Sequence, residues 1–250
     1  MIDLKTPEDI EKMKAAGKIA SEVLDLVIGR VKPGVSTLDL DRFAEQEIRS
    51  RGGIPAFKGY NGFPGTLCVS LDDEVVHGIP SKKRLLQNGQ ILSLDIGVGL
   101  DGFFADMAKS VAVGNLTEEK LNLLRITEES LFRGIRKAIP GNHLYDISYE
   151  IQSFVERHGF SVVRDYVGHG IGRALHEDPQ VPNFGMPGTG PLIQEGLVIC
   201  IEPMVNIGTY DVEVGENGWT VFTRDRKPSA HFEHMVYISG KGPKILTQIT

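Results

Sequence analysis

Asp95 and Asp106 are the residues from which chemistry can first be argued. They lie in the stretch Ile91 to Ser110, ILSLDIGVGLDGFFADMAKS, each set into a strongly apolar run. Gly99-Leu100-Asp101-Gly102 separates the runs and is turn-rich, as hairpin connections are. A symmetric hairpin about the middle of that turn pairs Val98 with Phe103 and Asp95 with Asp106. Directly opposed residues share a sheet face, with Cβ atoms roughly 4.5–5.5 Å apart. Carboxylates that close repel each other unless a cation or a shared proton stands between them. Gly97 and Ala108, on the same face, read as space beside the acids for an ion. A surface hairpin with two solvated acids is the plainer alternative. The apolar setting argues against it.

A faint internal repeat adds two more acids. GQILSLD, ending at Asp95, and GLVICIE, ending at Glu202, each run from a glycine through mostly apolar residues to an acid. Asp106 follows the first and Glu233 follows the second. Two candidate helices precede each acid-bearing strand, so a duplicated helix-helix-strand unit would bring the four acids together. Four carboxylates in an apolar setting cannot stay ionised without compensation. Two divalent cations balance them, which favours a dinuclear site over a single metal. Histidine is the usual further ligand, and the candidate is His169 in YVGHGIG, where flanking glycines let the backbone approach closely. A lone histidine is more often structural; the glycine setting favours function here. Oxygen donors with one imidazole suit Mn, Co, Fe(II) or Zn. Two such ions roughly 3.5–4 Å apart can bind one bridging water, lower its pKa and polarise a carbonyl. Metal-assisted hydrolysis is the implied reaction class.

The elements that must hold these residues are legible around them. Thr6-Pro7-Glu8-Asp9 starts a helix, and Ile10, Met13, Ala20, Val23 and Val27 mark its apolar face until Lys32-Pro33-Gly34. A second helix runs from Ser36 or Thr37 to Gly52-Gly53. A third starts at Thr117-Glu118-Glu119 and ends by Pro140-Gly141, and a fourth runs from near Asp146 to His158. Pro55 to Gly65 is rich in glycine and aromatics, Thr66 to Leu71 reads as a short strand, and His77 follows in VVHGIP. Phe160 to Arg164, a glycine-rich loop through Gly190 and two strand regions complete the second half. At 250 residues, 41% hydrophobic and 24% charged, the chain has the composition of an ordinary globular protein with a sizeable core. A net charge of −6 without a basic block argues against nucleic acid as a partner. No apolar run approaches the roughly 20 residues needed to span a bilayer, and the charged N-terminus has no signal core. Membrane binding is therefore not expected, and the expected compartment is cytoplasmic. Cys68 and Cys200 suggest no disulfide framework. With no low-complexity linker, one domain over residues 1–250 is expected, with halves of about 1–115 and 116–250.

The ordered set LDIG, the acid at Asp106, GHGIG, LHEDP, IEPM and SAHFEH resembles the type I methionine aminopeptidases across essentially the whole chain. The resemblance implies the α+β pita-bread fold, with duplicated halves around a central dinuclear site. It also implies that Asp95, Asp106, His169, Glu202 and Glu233 bind two divalent metal ions (Co, Mn, Fe(II) or Zn), and that Glu202 shuttles a proton. His77 and His176 match outer histidines that contact substrate and stabilise the tetrahedral intermediate or leaving amine. Tyr60, Phe63, Cys68 and Trp219 match the methionine pocket, whose apolar and aromatic surfaces suit a thioether.

The implied activity is removal of initiator methionine from peptides and nascent proteins with a small second residue, a metal-bridging hydroxide attacking the scissile carbonyl. A monomer with transient ribosome contact is expected. The short stretch between His169 and Glu202 leaves no room for the helical insertion of type II members, and neither a long N-terminal extension nor a separate N-terminal domain is expected. Asn61, Gly97, Ala108 and Leu175 depart from the commonest family pattern and bear on rate and metal preference. The rivals are an Xaa-Pro aminopeptidase or dipeptidase on the same fold, and a non-catalytic pita-bread binding protein.

Overall fold

Caps and apolar spacing start each half with a pair of helices. In the computed structural model, which describes residues 2–248, α1 (Pro7–Ile28) and α2 (Thr37–Ser50) open the chain. Thr6 Oγ1 accepts the Asp9 amide at 3.2 Å while the Asp9 carboxylate accepts the Thr6 amide at 3.0 Å. That reciprocal box fixes the start of α1. Ser36 Oγ caps α2 by accepting the Asp39 amide at 3.1 Å. In the second half α3 (Glu118–Lys137) follows its predicted Thr117 cap, and α4 (Leu144–Arg157) begins before Asp146. The Asp146 carboxylate accepts the His143 amide at 2.8 Å, so this acid caps from inside the first turn rather than marking its start.

After α2 come β1 (Ile54–Pro55), β2 (Leu67–Leu71), β3 (Glu74–Val76) and the long hairpin β4 (Gln90–Leu100) and β5 (Phe103–Val113). After α4 come β6 (Ser161–Val162), β7 (Gly168–Gly170), β8 (Glu177–Val181) and β9 (Val198–Ile201). Then β10 (Met204–Asn206), β11 (Val212–Val214), β12 (Val221–Thr223) and β13 (Ser229–His231) make an excursion. The chain returns as β14 (Glu233–Ser239) and β15 (Gly242–Ile245).

The main sheet runs β1-β4-β5-β14-β9-β7-β8, with β2 added on β4 and β15 on β14. The two halves meet in its middle, where β5 pairs antiparallel with β14. Met13, Leu24, Leu40 and Leu94 belong to one apolar core, and Leu123, Ile147, Ile151 and Ile199 to a second. Each fully buried side chain of this kind contributes roughly 1.5–3 kcal/mol. The α2 carboxylate Asp41 also receives the Thr66 and Leu67 amides at 2.6 and 2.9 Å, which anchors β2 under the helix. β9 and β14 are antiparallel neighbours, but the long excursion joins them, not a tight turn.

The β4–β5 hairpin corrects one expectation. Its turn is Asp101-Gly102, with φ of 49° and 79°, the left-handed conformation that Asp-Gly hairpin turns adopt. Leu100 therefore pairs with Phe103, Asp95 with Ala108 and Asp106 with Gly97. The acids are diagonal neighbours rather than directly opposed. Because the slip is by an even number of residues, both still project from the same face.

Gly97 is corrected as well. A Cβ there would stand 2.5 Å from Phe57 Cε1, so the missing side chain makes room for the Phe57 ring, not for an ion. Ala108 does leave space, because it is the cross-strand partner of Asp95 on one side and Glu233 on the other. Gly97→Ala is expected to lower stability by about 1–3 kcal/mol through overpacking. In thermal melts, adding Phe57→Ala should cost less than the two single changes together. Strict additivity would show that the ring is not what the glycine accommodates.

Candidate metal centre

The three residues of β7 bring His169 into the sheet because its neighbours are glycines. A Cβ on Gly168 would collide with the Cys200 carbonyl, and one on Gly170 with the Asp178 carbonyl. Adjacent backbones approach so closely that only glycine fits on either side. His169 Nδ1 lies 2.9 Å from the Gly170 carbonyl. A carbonyl only accepts, so the ring proton is on Nδ1 and Nε2 carries a free lone pair. That nitrogen stands 3.8 Å from Asp106 Oδ2 and 3.7 Å from Glu202 Oε1.

The four acids converge around it. Asp95, Asp106 and Glu233 present oxygens within 4.8 Å of one another, and so do Glu202 and Glu233 together with His231. Asp106 and Glu233 are 3% and 2% exposed, which removes the water that would otherwise screen them. Asp95 Oδ1, Asp106 Oδ1 and Glu233 Oε1 are buried with no hydrogen-bond partner. Burial raises Asp95 to about 6. Burial, and then repulsion from the neighbouring carboxylates, holds Asp106, Glu202 and Glu233 well above the usual carboxylate range. Burial lowers His169 to about 3, so its imidazole is neutral at physiological pH.

Both cysteines are free and buried. Cys68 lies beside Asp95 and Cys200 beside Glu233, one thiol for each half. Burial pushes both well up, so they remain protonated S–H donors.

Beside the acids lies a cavity of about 380 Å³. All the residues matched to the pocket line it: Tyr60, Phe63, Cys68, His77, His176 and Trp219. Phe63 and Trp219 meet edge to face at 5.2 Å. Asn217 Oδ1 accepts the Trp219 and Thr220 amides and fixes the loop that carries the indole. His77 lies edge-on to Tyr166 at 5.6 Å and Trp219 at 6.4 Å, and burial lowers it to about 4. His176 sits 4.3 Å from the His169 ring, with its Nδ1 2.8 Å from the Tyr60 hydroxyl. The atypical Asn61 and Leu175 also line the cavity.

Phe57, Tyr166 and His231 are among the lining residues absent from the sequence-based set. His231 had a signal: it precedes Glu233 by two, and alternate residues of an extended chain share a face. Phe57 and Tyr166 lie outside regular elements, where no periodicity points inward.

The model of Metallopeptidase family M24 matches residues 11–240. The chain belongs to this family. Among full-length relatives, the methionine aminopeptidase of Clostridium perfringens is 54% identical over 249 residues, covering 100% of each chain. The crystal structure of methionine aminopeptidase from Thermotoga maritima aligns with a TM-score of 0.98 at 44% identity, covering 100% of both chains. A prolidase from Pyrococcus furiosus shares the fold, with a TM-score of 0.79 at 20% identity, covering 99% of this chain and 66% of that one.

A metallopeptidase needs divalent ions, and the residues present fit them. Four carboxylates, three of them with an unpartnered buried oxygen, and one neutral imidazole lone pair are a donor set that lacks only positive charge. Without a metal, the folded state holds extra protons, since Asp95 titrates near 6 against 3.8 when exposed. Stability then falls as pH rises through that window. His77, His169 and His234, lowered from 6.5 to about 4, about 3 and about 4, act oppositely over an overlapping range. Metal binding needs the carboxylates ionised, so the rise in melting temperature that Mn²⁺ gives to chelated protein should grow as pH rises from about 5 to about 7, through the Asp95 value of about 6. A melting temperature indifferent to both would contradict a charged, cation-seeking cluster.

Proposed function

We propose that the protein removes N-terminal methionine from peptides and nascent proteins, preferring a small second residue. The observation that carries this is a thioether-compatible cavity opening directly onto four converging carboxylates. The full-length similarity to methionine aminopeptidases supports it. The chain acts as one catalytic unit of two halves that meet near residue 115, a reading supported by the helix-pair and acid-strand order repeated in each half.

The proposed ligands are Asp95, Asp106, His169, Glu202 and Glu233. Two divalent ions held there would supply a water of lowered pKa and polarise the scissile carbonyl. The rest falls to the chain's own groups. Phe63, Cys68, Trp219 and Tyr60 enclose the methionine side chain, excluding water from a polarisable sulfur. Glu202, which lines the cavity beside the other acids, takes up the proton that the attacking water loses and hands it to the departing amine. His77 is neutral at pH 7 and offers a hydrogen bond without adding charge beside the acids. With the Tyr60 phenol donating to His176 Nδ1, the His176 ring proton sits on Nε2, a donor for the developing oxyanion. Asn61 and Leu175 line the same cavity, so their chemistry bears on selectivity.

The test is metal-dependent release of methionine from Met-Ala-Ser and Met-Gly peptides, with Co, Mn, Fe(II) and Zn tried separately. Asp106→Ala should abolish release and metal binding together. His176→Ala should lower kcat about 10²–10³-fold, the usual loss for a single oxyanion donor, with little change in KM. Preferential cleavage of Xaa-Pro peptides would instead support the prolidase-like alternative. Absence of turnover with any of the metals would remove the enzymatic reading.

A further inference from the structure

Among the buried groups left without a task above, His231 is the most constrained. Its side chain is 2% exposed, its Nε2 has no hydrogen-bond partner, and Glu202 Oε2 stands 3.4 Å away. Its backbone is held from both sides by one hydroxyl: Ser110 Oγ accepts the His231 amide at 2.8 Å and donates to the His231 carbonyl at 2.9 Å. Ser93 Oγ lies 2.7 Å from the same Ser110 oxygen. A hydroxyl has one proton and two lone pairs. With the Ser110 proton given to the His231 carbonyl, Ser93 must be the donor in that contact. The chain Ser93–Ser110–His231 therefore runs from β4 and β5, the strands that carry Asp95 and Asp106, to β13 beside Glu202. Both serines are buried, and Ser110 has no bonding capacity left over.

Two imidazoles bracket the Glu202 carboxylate. His169 Nε2 faces Oε1 at 3.7 Å with a lone pair, because its proton is on Nδ1. His231 Nε2 faces Oε2. We propose that His231 is a positioning residue for Glu202, carrying its proton on Nε2 and donating it to Oε2, so that Oε1 stays turned toward His169 and Asp106. The terminal torsion of a glutamate is broad, and a small rotation brings a 3.4 Å pair into hydrogen-bond range. The assignment rests on Glu202 being a metal ligand. In that role, a group that orients a ligating carboxylate typically affects metal affinity 10–100-fold.

The full-length chain, stripped of metal by chelation, would be titrated with Co²⁺ by calorimetry while its visible spectrum is recorded. His231→Leu keeps the bulk and removes the donor; His231→Gln keeps a neutral N–H donor. Co²⁺ affinity should fall about 10–100-fold in the leucine variant. The glutamine variant should recover most of that loss, and its Co²⁺ spectrum should match that of the unmodified chain. Should the leucine variant fail to fold, Ser110→Ala keeps the imidazole but frees its backbone and should show a smaller loss of affinity. Unchanged affinity in the leucine variant, or in Ser110→Ala where that variant stands in, overturns the proposal. A glutamine variant as weak as the leucine one also overturns it, since the imidazole nitrogen would then be a ligand itself. If the unmodified chain binds no Co²⁺, the metal reading of Glu202 fails first and carries this one with it.

Discussion

Mutual repulsion among Asp95, Asp106, Glu202 and Glu233 is the constraint that the rest of the structure must satisfy. Two like charges about 4 Å apart repel by roughly 4 kcal/mol even at an effective dielectric of 20. Several such pairs within one buried cluster rival the entire stability of a typical domain, about 5–15 kcal/mol. A loop would relax by swinging its acids apart. Here each acid instead sits on or at the end of a strand, and β4, β5, β14 and β9 are consecutive neighbours in one sheet. The helix pairs clamp that sheet through two apolar cores, so the carboxylates cannot separate without unpacking one of them. What remains is to hold protons or to bind cations.

The groups around the cluster follow from the same constraint. None of them adds negative charge, and those nearest the acids are neutral: thiols kept protonated by burial, and imidazoles pushed down to about 3 at His169 and about 4 at His77. A neutral imidazole presents a lone pair or an N–H as its tautomer dictates, and the Gly170 carbonyl makes that choice for His169. The two thiols occupy related places, Cys68 beside Asp95 and Cys200 beside Glu233, so the internal repeat extends from the acids to the thiols next to them. The apolar wall of the cavity is continuous with this environment, which places a partly enclosed pocket and the acid cluster side by side.

Much of this was legible in the sequence because it depends on local rules. The helix starts follow Thr6, Ser36 and Thr117, whose hydroxyls each satisfy an amide three residues on. The acid-bearing strands follow from apolar runs ended by an acid, and the face shared by Asp95 and Asp106 follows from the two-residue period of a strand. The register of that hairpin differs by two residues from the one that a symmetric Gly99-Leu100-Asp101-Gly102 turn sets. Asp101-Gly102 alone adopts positive φ, and a two-residue turn sets a different pairing. The shared face is the same in both registers, because a shift of two preserves alternation.

The sequence by itself determined which residue types carry the chemistry, where the helices begin, and that four acids and a glycine-flanked histidine required compensating charge. Only the tertiary structure decided how near those acids come, that Gly97 yields its space to Phe57, that Tyr166 and Phe57 line the cavity, and that Ser110 aims His231 at Glu202. The difference is physical. Caps, turns and alternation act between residues a few positions apart, so the chain spells them out. Contacts such as Ser110 with His231 join residues 121 positions apart, and they exist only once the sheet brings distant strands into register.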